Sequence, residues 1–177
     1  MKRELRTILS EVRRTVLAID EDGARALMFK ILSAPRIFLA GRGRTGSMVA
    51  AFAQRLTQIG LSVHYVGEPS CPRVQEEELL LACSGSGETP TIIAMAQAAR
   101  DEGATVAVIT AHPRSPAAKK AHMIITIPAE KGKKSEQPAR SLFEQSLLLF
   151  LDALVLMIAR EIRISPEEFM RRHTNLE

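Results

Sequence analysis

The stretch "LLACSGSGET", residues Leu80–Thr89, passes from apolar to hydroxyl-bearing residues at Ser84. An uninterrupted apolar run that stops at Ser-Gly-Ser-Gly reads as a strand buried on both faces, handing over to a helix through a turn. "FLAGRGRTGS", Phe38–Ser47, has the same arrangement. Two such junctions in one parallel sheet place two anion-receptive loops at the carboxyl edge, where open α/β sheets bind ligands.

Other apolar runs supply the remaining strands. "VHYV" at Val63–Val66, "VAVIT" at Val106–Thr110 and "MIITI" at Met123–Ile127 join "IFLA" ending at Ala40 and "LLLAC" ending at Cys83. Helical patterns over Met48–Ile59, Thr91–Glu102 and a shorter Pro116–Lys120 alternate with them, which predicts a parallel α/β sheet of five strands. A helical segment over residues 3–33 precedes the sheet. Helices over 141–163 and 166–173 follow it, the last opened by Ser165 and Pro166 in the capping and first-turn positions.

With 177 residues and 46% apolar content, the chain is expected to form one domain spanning 1–177. The net charge of +4 comes from dispersed basic residues. Trp is absent, Tyr65 is the only tyrosine and no aromatic residues interleave with basic clusters, so nucleic acid is not an expected partner. "LLLFLDALVLMIA", Leu147–Ala159, is interrupted by Asp152 and is shorter than the roughly 20 apolar residues that span a bilayer. It reads as a core or interface helix, not a membrane span. The amphipathic first segment lacks the pattern of a signal peptide, so a cytoplasmic protein is expected. Cys71 and Cys83 lack metal-ligand spacing and read as reduced thiols.

Gly41, Gly43 and Gly46 spell G-x-G-x-x-G, with Glu68 at about the offset of a ribose-binding acid. A dinucleotide site is one reading, and glycines that permit a tight strand-to-helix turn are the other. A P-loop is disfavoured because Ser47 stands where its lysine belongs. In the second loop Ser84, Ser86 and Thr89 supply hydroxyls. Gly85 and Gly87 let backbone approach a ligand, and the following helix offers unpaired N–H groups. That is a cradle for a phosphate monoester, although the same residues also make a structural cap. Glu88 either complements the helix N-terminus or orients a substrate hydroxyl. No H-x-x-H, H-E-x-x-H or carboxylate cluster points to a metal, and no cofactor is expected.

With "SGSGET" after a buried strand and "GRGRTGS" before it, the chain resembles the sugar isomerase (SIS) domain family, whose members bind phosphosugars. "SLFEQSLLLFLDALVLMIARE" and the tail "RRHTNLE" are similar to the 6-phospho-3-hexuloisomerases within it. Two departures stand out: Arg42 and Thr45 where the family more often has Ala and Ser, and Ala139-Arg140 where it has a Met-Gly pair. The resemblance implies a flavodoxin-like strand order flanked by helices and conversion of 3-hexulose 6-phosphate to fructose 6-phosphate. Formaldehyde fixation through the ribulose monophosphate pathway is the implied context. A non-catalytic phosphosugar sensor and a related aldose-ketose isomerase are the competing readings.

Moving a ketone from carbon 3 to carbon 2 needs a base that carries a proton between adjacent carbons through an enediol, and a shuttle for the oxygens. Glu144, at the start of an apolar helix, is the expected base, against the reading of a carboxylate that serves the helix dipole. His173, on the polar tail, is the shuttle that the resemblance implies, against the reading of a solvated histidine; in that role the tail folds over a pocket, its own or a neighbour's. His112, before Pro113 at a strand's carboxyl end, has a weaker claim as a rim residue. Arg44 and Ser47 are candidate contacts to phosphate or sugar oxygens. The segment Glu130–Arg140, containing Gly132 and Pro138, reads as a lid or as a solvated connector. A ketone at carbon 3 can close a five-membered ring only through oxygen 6, which carries the phosphate. The substrate therefore arrives open-chain, and no ring-opening acid is needed. The apolar C-terminal helix predicts a homo-oligomer, a dimer or tetramer, with a buried partner or a polar seam for Asp152.

Overall fold

The computed structural model describes residues 1–130, 134–173 and 175. Two helices come first, α1 (Lys2–Val16) and α2 (Glu21–Ser33), the second capped by Asp20, whose carboxylate accepts from the Gly23 N–H at 3.0 Å. Then follow β1 (Ile37–Ala40), α3 (Gly43–Ile59), β2 (Val63–Tyr65), β3 (Leu79–Cys83), α4 (Pro90–Asp101) and β4 (Thr105–Thr110). A 3₁₀ turn at Ala118–Lys120, β5 (Met123–Thr126), α5 (Ser141–Glu161) and α6 (Pro166–Arg171) complete the order.

The five strands are all parallel, in the order β2-β1-β3-β4-β5, which is the flavodoxin-like arrangement expected. β1 and β3 are buried at every position, because helices cover both faces. Ile37, Leu39, Leu79, Leu81 and Ile109 face one core, packed by α1, α2, α3 and α5. Phe38, Ala40, Leu80, Ala82 and Val108 alternate onto the opposite face, against Ile92, Ala96 and Ala99 of α4. β1 and β3 are neighbours, yet the helices that follow them leave to opposite faces. Their carboxyl ends therefore diverge and open a crevice, the switch point of such sheets.

The G-x-G-x-x-G glycines are used to bring α3 against β1. A Cβ on Gly41 would lie 2.9 Å from the Gly46 Cα, and one on Gly46 would lie 2.7 Å from the Tyr65 hydroxyl. That hydroxyl donates to the Gly41 carbonyl at 3.2 Å, tying β2 to the same turn. Of the two readings of this motif, the tight turn accounts for Gly41 and Gly46.

Several boundaries differ from expectation. α3 begins at Gly43, not Met48, because its first turn is closed by backbone bonds such as Gly46 N–H to Arg42 carbonyl at 3.2 Å, whatever the helix propensity of glycine. Pro116–Lys120 yields only the single 3₁₀ turn, held in place by Ala117 N–H donating to the Gly87 carbonyl at 2.9 Å. The C-terminal helices end at Glu161 and Arg171, two residues short of 163 and 173 in each case.

α5 is 21 residues long, and by length and composition alone it is apolar enough to cross a membrane, contrary to the shorter run read from sequence. Half of its most apolar window is buried inside the protein, however, against the sheet and α3. Asp152, expected to need a buried partner or a polar seam, lies on the face of α5 that this chain leaves exposed, between Leu149 (47% exposed) and Leu156 (58%).

Candidate active site

The serine loop is built by its own hydroxyls. Ser84, 4% exposed, accepts from the Gly87 N–H at 3.1 Å and lies 3.0 Å from the Thr89 hydroxyl, while Ser86 accepts from the Glu88 N–H at 3.2 Å. Gly87 turns the chain at φ 64°, a left-handed conformation in which a Cβ would run into the Ser115 side chain. The loop ends at Thr89 with Pro90 in the first turn of α4, so the positive end of that helix faces the crevice. The capping role of these residues is thus real, and it leaves the loop pre-formed.

α5 is placed against this loop by Phe143. Its ring is buried and approaches Gly85 so closely that a Cβ there would lie 3.0 Å from it. The next residue, Glu144, is thereby carried to the crevice. A cleft of about 220 Å³ is lined by Ser84, Gly85, Ser86 and Thr89 on one side and by Ala139, Arg140, Phe143 and Glu144 on the other, with Arg42, Thr45 and Cys83 completing it. Hydroxyls, a helix N-terminus and one carboxylate thus converge in a single chain. Arg44, in the first turn of α3, donates through Nε to Oε2 of Glu144; the arginine is 65% exposed and the carboxylate 13%.

Not every candidate residue is brought here. Ser47 is exposed on the second turn of α3 and does not line the cleft; Thr45 does, because the helix begins before Met48 and turns a different side chain inward. Glu88 is exposed and lines a neighbouring, larger cavity of about 500 Å³ with Ser86, His112, Glu130 and Arg140. His173 is held at the opposite end of α3: the preceding Arg172 donates to the Ile59 carbonyl, and Phe169 lies beneath the Arg55 guanidinium at 5.9 Å. From Arg44 to Ile59 is roughly 22 Å along the helix, so one chain cannot bring His173 to its own Glu144.

Arg42 and Arg140, at two of the positions where the sequence departs from the family pattern, also line the cleft, and no motif marks them as site residues. Ala139 and Arg140 both adopt left-handed backbone, at φ 50° and 64°, where a glycine would be unstrained. Arg42 folds back on the first loop, donating to the Gly41 and Val66 carbonyls at 3.1 and 3.3 Å. Of the segment Glu130–Arg140, Gly132 lies outside the described residues; residues 135–137 are pinned to α1. Glu11, 7% exposed, accepts from the Ser135 hydroxyl at 2.7 Å, the Glu136 N–H at 2.9 Å and the Gln137 amide at 3.0 Å. Burial pushes its carboxyl up, but these donors and Arg14 outweigh that and hold it below the usual carboxylate value. Both cysteines are free, and burial pushes the Cys83 thiol far up, as suits a packing residue.

Comparison with known proteins identifies the family. A model of the SIS domain matches residues 30–157. A 3-hexulose-6-phosphate isomerase of Bacillus subtilis is 39% identical over 96% of this chain and 95% of its own length. One of Mycobacterium gastri is 35% identical over 98% and 89%. A crystal structure from Methanococcus jannaschii, described as inferring a molecular function of 3-hexulose-6-phosphate isomerase, superposes with a TM-score of 0.87. It is 28% identical, and 99% of each chain is covered.

Proposed function

The chain belongs to the SIS domain family and is a phosphosugar isomerase, and from that premise we propose that it converts 3-hexulose 6-phosphate to fructose 6-phosphate. The observation that carries this reading is the convergence of Glu144 with the serine loop in one cleft. Ser84, Ser86, Thr89 and the N-terminus of α4 hold the phosphate, with Gly85 and Gly87 allowing close backbone approach. Glu144 takes the proton from carbon 2, giving an enediol, and returns a proton to carbon 3. Arg44 holds the carboxylate in place across the crevice, and its positive charge favours the enediolate. The named relatives support this reaction over an aldose-ketose exchange.

The exposed apolar positions Leu149 and Leu156 of α5, with Leu5 and Leu9 of α1, form the face through which we place the homo-oligomer. If His173 takes part in catalysis, it does so in a neighbouring subunit. We place it in the cytoplasm and in the ribulose monophosphate pathway, where the reaction serves formaldehyde assimilation or, run in reverse, pentose supply.

The test supplies 3-hexulose 6-phosphate and couples the fructose 6-phosphate formed to a downstream dehydrogenase. Turnover is expected with wild type and is lost in Glu144→Gln, which still binds fructose 6-phosphate. No turnover by wild type, or full turnover by the variant, overturns the reading.

A further inference from the structure

The proposed reaction moves two protons, one between carbons and one between oxygens, and Glu144 accounts only for the first. We infer that His112, oriented by Glu130, moves the second; the inference rests on the reaction proposed above.

His112 follows β4 at the carboxyl edge of the sheet, and its backbone is locked to the serine loop. Its N–H donates to the Thr110 hydroxyl at 3.2 Å, that hydroxyl donates to the Gly85 carbonyl at 3.2 Å, and the Ala111 N–H donates to the same carbonyl at 3.1 Å. The imidazole Nε2 lies 3.1 Å from Oε2 of Glu130, whose other oxygen lies 3.5 Å from Nε of Arg140. An ionised carboxylate only accepts, so the neutral ring carries its proton on Nε2, and Nδ1 is the nitrogen that can receive another. The cavity that His112 lines shares Ser86 and Arg140 with the cleft that holds Glu144. A substrate anchored at the serine loop lies where the two cavities meet at Ser86, with Glu144 lining one of them and His112 the other. Glu88 and Arg114 are the other charged residues lining His112's cavity.

Two of the other histidines are placed for different work. The His64 ring packs on Phe38, with centroids 5.3 Å apart, and His122 Nδ1 accepts from the Val106 N–H at 3.0 Å. His173 sits beyond the far end of α3.

The step balances within the substrate. Glu144 breaks the C2–H bond, and the electron pair moves into a C2–C3 double bond while the carbonyl at carbon 3 becomes the enediolate. Nδ1 of His112 takes the proton from the oxygen on carbon 2 and delivers it to the oxygen on carbon 3. Protonation of carbon 3 then completes the product: carbon 2 has been oxidised and carbon 3 reduced, with no external oxidant.

The test incubates fructose 6-phosphate with enzyme in deuterium oxide, following deuterium entry at carbon 3 and net conversion to the 3-ketose separately. His112→Asn is expected to keep exchange within about 3-fold of wild type, because forming and reprotonating the enediolate needs only Glu144. Its net conversion falls roughly 30- to 300-fold, within the usual span for losing a general acid-base group. Glu130→Ala falls by a smaller factor, and Glu144→Gln loses both. His112 is 41% exposed, so the substitution leaves the fold intact. Wild-type conversion by His112→Asn, joint loss of exchange and conversion, or loss in His173→Asn with His112→Asn unaffected overturns the assignment of His112 and leaves the reaction standing. A wild-type protein with neither exchange nor conversion overturns the reaction itself, and this inference with it.

Discussion

Arg44 and Glu144, 100 residues apart in sequence, meet across the crevice between β1 and β3, the guanidinium Nε donating to Oε2 of the carboxylate. The contact joins the first turns of α3 and α5 at the carboxyl edge of the sheet. Exposed as it is, Arg44 contributes little to folding. Arg44→Met is expected to shift the unfolding midpoint by less than about 0.5 kcal/mol in stability while lowering kcat about 10- to 100-fold. Paired denaturation and steady-state measurements check this, and unchanged kcat would leave only a surface ion pair.

Gly87 is the position at which the serine loop tolerates least. Left-handed backbone and the Ser115 side chain both oppose a Cβ there. Gly87→Ala is expected to cost about 2–4 kcal/mol, the sum of backbone strain and overpacking. Urea unfolding measures it, with Gly85→Ala as the milder comparison, since only the Phe143 ring must give way.

Arg140 is strained at φ 64°. Arg140→Gly relieves that strain but adds freedom to the unfolded chain, for a net gain of about 0.5–1 kcal/mol. Arg140→Ala removes the same charge without the relief. Thermal melts of the two variants separate backbone from charge, and equal midpoints would refute the strain argument.

Glu11 gives the fold a defined acid sensitivity. A carboxyl held below its ordinary value of 4.5 stabilises the folded state at neutral pH, and this contribution fades as pH falls from about that value through the folded one. Glu11→Gln keeps one acceptor oxygen for three donors and is expected to cost about 1.5–3 kcal/mol at pH 7. Its stability should also vary less than that of wild type between about pH 5 and 3. Urea midpoints across that range test both statements.

What could be read in the sequence follows from what sequence encodes locally. The buried strands declared themselves as apolar runs, because helices cover β1, β3 and β4 on both faces and no alternation is required. The serine loop was legible because turn chemistry and strand ending coincide at Ser84. The start of α3 was not, since Gly43-Arg44-Thr45-Gly46 has poor helix propensity and is helical through its packing on β1. That shift is why Thr45 lines the cleft and Ser47 does not. Composition alone does not say which side of α5 meets the core, and Asp152 lies on the side turned away from it. The remoteness of His173 depends on long-range contacts, Arg172 to the Ile59 carbonyl and Phe169 to Arg55, which no local pattern announces.

Glu11 belongs to the first helix, and the rim it fastens lies 124 residues further along the chain. Deleting α1, or fusing a rigid module to its start, would therefore damage turnover although no residue of that helix touches the cleft. A tag, immobilisation linker or domain insertion is better grafted between β2 and β3, where the chain leaves the sheet on the side away from Glu11.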